Sequence, residues 1–181
     1  LIGWGMATGV WDSQQLPAKV VATLSVDGKL TVGSATADIG TGTYTIMTQI
    51  AADVLGLPLE NVTFKLGDTA LPLAPIQGGS YTAASVGSAV LQTCQKLAQK
   101  LFKLAQKGKD SPFAAVKWED VSFADGKIQL TQHPAQSISF VELMRQQKVN
   151  TIQQKSTGLP NLLKQRKYTR QTHSAVFAEV K

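Results

Sequence analysis

Residues 38–58 read Asp38-Ile39-Gly40-Thr41-Gly42-Thr43-Tyr44-Thr45-Ile46-Met47-Thr48-Gln49-Ile50-Ala51-Ala52-Asp53-Val54-Leu55-Gly56-Leu57-Pro58. The period of the pattern changes inside this stretch. Gly40-Thr41-Gly42-Thr43 interrupts an extended run, and from Tyr44 the apolar residues return every fourth position. Ile46, Ile50 and Val54 form one row and Met47, Ala51 and Leu55 another, which is one face of a helix. Gly56 is placed to end that helix, because glycine accepts the left-handed turn that closes it, and Pro58 cannot continue it.

Upstream, residues 18–26 are rich in β-branched side chains and read as a strand. Asp27-Gly28 is a hairpin turn signal, and residues 29–38 read as the returning strand. Downstream, residues 61–66 alternate like a strand, and 69–81 form a loop of proline and glycine. A long helix is expected over 83–107. Its apolar stripe is Val90, Leu91, Cys94, Leu97, Ala98, Leu101, Leu104 and Ala105, with Lys and Gln opposite. Cys94 lies on that stripe and reads as a small core residue. Residues 116–123 and 127–130 flank Asp125-Gly126 as a second hairpin. Ser139 and Glu142 fit a capping box opening a helix to about Lys148. Residues 148–170 read as a basic connecting segment, and 174–181 as a closing strand without an evident partner. The expected class is α+β: two hairpins and a mixed sheet packed by two main helices.

Composition narrows the function. The chain has 181 residues, 43% of them hydrophobic, which suits a packed domain and not a disordered segment. No apolar run reaches the roughly 18 residues of a membrane span. One cysteine and two distant histidines, His133 and His173, give no set of metal ligands, so none is assigned. Charge is uneven. Up to residue 90 there are three Lys or Arg against six Asp or Glu; beyond it there are 15 against six. The cations between Arg145 and Arg170 allow a second reading, a stand-alone binding module whose basic 145–170 stretch meets nucleic acid or an acidic partner. No aromatic platform accompanies them, so a solvated segment is the simpler view.

Two segments share one design. Asp38 to Thr43 runs directly into a helix, and so does Gly78-Gly79-Ser80-Tyr81-Thr82-Ala83-Ala84-Ser85. A helix start exposes unpaired N–H groups at the positive end of the peptide dipoles, and small residues let an anion come close. Both edges are therefore candidate phosphate sites. Ordinary capping explains each equally well in isolation. Neither is a P-loop or a dinucleotide fingerprint. No catalytic constellation is visible, and Asp38 reads as a turn or cap residue.

The wording of these motifs resembles the molybdenum-cofactor subunit of the xanthine dehydrogenase/aldehyde oxidase family. The likeness lies in residues 38–53 with Leu55-Gly56-Leu57-Pro58, and in Gly78 to Gly87 with Val86 between. The nearest subgroup is the bacterial aldehyde oxidoreductases with separate subunits. The resemblance is specific over residues 16–92 and looser to residue 181. It implies a fragment from the second, cofactor-binding half of a much longer subunit, so residues 1–181 are expected to be a single partial molybdopterin-binding domain. The opening without Met and the unpartnered closing strand fit that expectation.

The resemblance also implies chemistry. The cofactor would be molybdenum on a pterin dithiolene, in bacteria often extended with cytosine dinucleotide. It oxidises aldehydes or N-heterocycles by adding oxygen derived from water, and electrons leave through iron–sulfur and FAD domains or subunits. Gly40, Thr41 and Gly42, with Thr43 beside them, would lie near the molybdenum or pterin. Ala83, Ala84, Ser85, Val86 and Gly87 would present N–H groups to the cofactor's phosphate. Many members carry Gln where Thr41 stands, and the aldehyde enzymes often carry Gln in place of Tyr81. The family's catalytic glutamate falls beyond residue 181, so no catalytic residue is assigned and the fragment is expected to be inactive and without cofactor when isolated. Its expected partners are the remaining segments of the subunit, with self-association through exposed strand edges. Cytoplasm and periplasm both remain open.

Overall fold

The computed structural model describes residues 1–107 and 111–181. A four-stranded sheet carries the core. Its strands are β2 (Ala18–Ser25), β3 (Leu30–Gly33), β4 (Val62–Lys65) and β8 (Thr151–Gly158), in the order β4-β3-β2-β8. β2 and β3 form the expected antiparallel hairpin. β3 then crosses over through α1 (Thr43–Leu55) to the parallel β4, which makes the sheet mixed. Alternation sets the buried face: Ala18, Val20, Ala22 and Leu24 of β2 point inward with Leu30, Val32, Val62 and Phe64.

α1 and α2 (Ser88–Ala105) cover that face, α1 over β4 and α2 over β2 and β8. Met47, Ala51 and Leu55 are buried on α1, and Val90, Cys94, Leu97, Ala98, Leu101 and Ala105 on α2. Leu91, assigned to the stripe from sequence, is exposed. The two helices meet closely at Gly87, where an added Cβ would stand 3.1 Å from Ile50 Cδ1. A smaller sheet of β5 (Val121–Ala124), β6 (Lys127–Leu130) and β7 (Ser137–Ser139) precedes α3 (Phe140–Gln146). Phe102, Trp118, Phe123 and Phe140 form a chain of ring contacts joining it to α2, with centroids 5.6, 5.7 and 6.0 Å apart. The Ser139 hydroxyl caps α3 by accepting from Glu142 N–H at 3.1 Å; the Glu142 carboxylate accepts from Gln146 instead of returning to the cap.

Other expectations change too. The first strand of the second hairpin begins at Val121 and not at 116, after a single turn over Trp118–Asp120. The returning strand stops at Gly33 and not at Asp38, because Ser34 N–H turns to Lys65 O and Ala35 N–H to Pro72 O. The basic segment over 148–170 contains a whole strand, β8, paired with all of β2 from Ala18↔Gly158 to Ser25↔Thr151. The closing strand, β9 (Gln171–Val180), has a partner after all. It pairs antiparallel with β1 (Gly3–Asp12) along its full length, Gly3↔Val180 to Asp12↔Gln171. This ribbon is exposed throughout, with Trp4, Met6, Val10, Val176 and Phe177 on its surface. A single turn, α4 (Leu162–Gln165), links β8 to β9. Among the described residues no helix is long and apolar enough to cross a membrane.

Candidate cofactor cleft

The two glycine loops come together. The β3–α1 crossover delivers the first, and the loop after β4 returns along the same end of the sheet to deliver the second. Between them lies a cleft of about 360 Å³ lined by Ile39, Thr41, Thr43 and Ile46 on one side and Gln77, Gly78, Gly79, Ser80, Thr82 and Ala83 on the other. Hydroxyls, glycine backbone, the Gln77 amide, Ala83 and two isoleucines make up its wall, and among the described residues no carboxylate lines it. Gln77 is held by its amide, which donates to Thr36 Oγ1 at 3.3 Å.

Three amides of the first loop and helix start are already occupied, while no acceptor is described for Thr43 N–H or Thr45 N–H. The Asp38 carboxylate accepts from Gly40 N–H at 2.9 Å, from Gly42 N–H at 3.3 Å and from Tyr44 N–H at 3.3 Å. Desolvation pulls the Asp38 carboxyl upward. The donors of Gly40, Tyr44, Gly42 and Thr41 outweigh it and leave the group below its ordinary value. Asp38 is thus a cap, and the chain supplies its own anion to this helix start. Asp38 therefore competes with any external anion at this edge, which is less open to a phosphate than the sequence suggests. What this loop offers instead is shape. Gly40 and Gly42 have φ of 96° and 77°, and a Cβ on either would meet nothing within 4 Å. Their backbone faces open space, which suits a group that must come close.

The second loop differs. Gly79 and Ser80 both have φ near +60°, at 58° and 60°. They lead into a wide π-type turn, Ala83–Gly87, which runs on into α2. Among the described hydrogen bonds Ser85 N–H is the first of the helix start to find an acceptor, Tyr81 O at 2.9 Å. The N–H groups of Thr82, Ala83 and Ala84 lie before it, in the turn where a helix leaves donors free. No acidic side chain occupies the first turn. This edge fits a phosphate; the first loop fits the body of a close-packed ligand.

Of the nine residues singled out from sequence, Thr41, Thr43 and Ala83 line the cleft. Gly40 and Gly42 shape its rim from the first loop. Ala84 is half-buried, and Ser85, Val86 and Gly87 are buried behind the cleft wall. Ser85 Oγ accepts from Leu16 N–H at 2.9 Å, and Gly87 is where the two helices touch. Sequence reasoning missed Gln77 and Trp11. Trp11 Nε1–H donates to Gly79 O at 2.9 Å across 68 residues of chain, and no local pattern signals such a bond. Cys94 sits in the core, where burial pushes its thiol up to about 12; it is no nucleophile.

Fold and cleft together define an α+β cofactor-binding domain whose ligand-facing wall is built from two glycine loops at helix starts. The chain belongs to the molybdopterin cofactor-binding domain family, which it matches over residues 1–181. It is 37% identical over 128 residues to the aldehyde oxidoreductase molybdenum-binding subunit PaoC of Escherichia coli, covering 71% of this chain and 16% of that protein. It is 37% identical over 103 residues to xanthine dehydrogenase of Drosophila pseudoobscura pseudoobscura, covering 54% of this chain and 7% of that one. Its fold matches quinoline 2-oxidoreductase from Pseudomonas putida 86 with a TM-score of 0.77 at 19% identity, over 99% of this chain and 25% of that one. The chain therefore spans a small fraction of the relatives it matches.

Proposed function

We propose that these residues form a segment of the cofactor grip of a molybdenum hydroxylase that oxidises aldehydes or N-heterocycles. The observation that carries this reading is the convergence of both glycine loops on one cleft that no carboxylate lines among the described residues. Thr82, Ala83 and Ala84 would hold the phosphate through backbone N–H groups. Gly40, Thr41, Gly42 and Thr43 would pack against the pterin side, where the absence of Cβ atoms at the two glycines permits close approach. The buried Ser85, Val86 and Gly87 would support this edge by fixing the helix start. When bound, the cofactor supplies the oxidative hydroxylation chemistry. The residues here bind and orient it and provide no acid or base, so the isolated 181 residues would be inactive and self-associate through the exposed ribbon. Nothing in the structure favours the nucleic-acid reading of the 145–170 stretch, whose middle forms β8.

The test is Ala83→Asp in the complete molybdenum subunit. A carboxylate in the first turn of a helix favours folding but would take the donors and repel a phosphate. The expected result is about a tenfold or greater fall in bound molybdenum and pterin, the size of a 1.4 kcal/mol loss, with an unchanged melting temperature. Full metal and pterin loading of the variant would refute the assignment.

A further inference from the structure

The second loop does not hold its own shape. Two consecutive residues with φ near +60°, one of them Ser80, are an unfavourable conformation that surrounding structure must enforce. The Tyr81 ring packs against Gly79, whose added Cβ would stand 3.1 Å from it, and the hydrogen bonds from outside the loop come from residues 11–16, the end of β1 and the start of its link to β2. Trp11 Nε1–H donates to Gly79 O at 2.9 Å, Gln15 Nε2–H to Ala84 O at 3.3 Å, and Leu16 N–H to Ser85 Oγ at 2.9 Å. These three bonds bracket the strained pair and the wide turn. The Trp11 ring also borders Gly79, whose added Cβ would stand 3.9 Å from Trp11 Cζ2. Trp11 is 58% exposed; the β1–β9 ladder holds its backbone opposite Thr172, and the bond to the loop holds its ring nitrogen.

The segment is itself anchored from behind. Gln165 Nε2–H donates to Gln15 Oε1 at 2.6 Å, Ser13 N–H donates to Arg170 O at 2.7 Å, and Arg170 Nη1–H returns to Ser13 O at 3.0 Å. We propose that residues 11–16 are a positioning clamp on the second glycine loop, with Trp11 and Gln15 as its positioning residues. Because a peptide unit is planar and trans, fixing the Gly79 carbonyl toward Trp11 turns the Ser80 N–H the opposite way. Ser80 lines the cleft. The clamp thus sets the direction of the loop's donors and ties it to the start of β9. Its link to ligand binding rests on the phosphate reading above; its hold on the loop does not.

The experiment places Trp11→Phe, which keeps a ring and deletes the donor, and Gln15→Leu, which deletes the amide, in the complete molybdenum subunit in its cofactor-free form. Amide hydrogen exchange is followed over residues 77–86 and, as a reference, over 93–104 of α2. Inorganic pyrophosphate is titrated while the Thr82, Ala83 and Ala84 amide resonances are recorded. Each variant should speed exchange in 77–86 by about tenfold while α2 keeps its protection. Pyrophosphate affinity should fall about fivefold or more, with the melting temperature unchanged. Unchanged exchange in 77–86 would overturn the clamp, and so would an equal rise in α2, which means general loosening. If exchange rises locally but pyrophosphate moves no resonance even in the parent protein, the clamp stands and the phosphate reading falls.

Discussion

Asp38 shows how one side chain can change the meaning of a motif. Placed at the end of an extended run before Gly40-Thr41-Gly42-Thr43, it takes the donors that an external anion would otherwise meet. Its folded value is lowered, so ionised Asp38 stabilises the loop at pH above the unfolded carboxyl's value, about 4. That contribution disappears as pH falls through the lowered folded value. In Asp38→Asn the amides of Gly40, Gly42 and Tyr44 should exchange faster at neutral pH, and their acid-dependent loss of protection should vanish. An Asn variant that keeps the same pH profile would assign the titration to another group. At this scale the glycines, the hydroxyls and Asp38's capping role were legible in the sequence. Which loop kept more of its donors free was not, because that depends on where a carboxylate points.

At the level of elements, local signals worked where neighbours in sequence are also neighbours in space. The β2–β3 and β5–β6 hairpins, both with glycine in the turn, and the i+4 rows of α1 needed no distant information. β8 was hidden because its inward positions are Ile152, Gln154, Ser156 and Gly158, a polar and small set against β2. The set is explained by α2 lying close above it, since a Cβ on Gly158 would come within 2.8 Å of Ala89 Cα. β1 was hidden by Gly3, Gly5 and Gly9, which weaken any strand signal. Gly56 joins elements in the same way. It ends α1 with φ 57°, and its added Cβ would fall 2.3 Å from Phe123 O in β5, while Gly56 O accepts from Gly126 N–H. Gly56→Ala should therefore cost roughly 2–4 kcal/mol, from a clash with backbone plus left-handed strain. Chemical denaturation checks this, and a cost under about 1 kcal/mol, within the range of a surface change, would mean that helix and hairpin separate easily.

Across the whole molecule, the helix-covered sheet and the β1–β9 ribbon have opposite character. The sheet buries its apolar side chains, whereas the ribbon exposes both faces. Its register puts Met6 opposite Phe177 and Trp4 opposite Glu179 on one face, with Val10 opposite His173 further along. Two unpaired edges and a bulky apolar face invite pairing with another chain. The protein should show concentration-dependent association by sedimentation. Replacing Met6 by Lys and Phe177 by Glu, an opposite-charge pair across the ladder, should abolish it without lowering the melting temperature, since neither side chain belongs to the core. Association that survives the double change would place the contact elsewhere.

The ribbon also decides how the molecule answers a mechanical load. Gly3 lies beside Val180, and on the next sheet Ala18 lies beside Gly158. Tension applied at residues 3 and 180 pulls across both ladders and not along them, so the rungs break in succession instead of sharing the force. The chain should unzip at low force, ribbon first, and the clasp of residues 11–16 on the cleft loop would come under strain before β2 leaves β8.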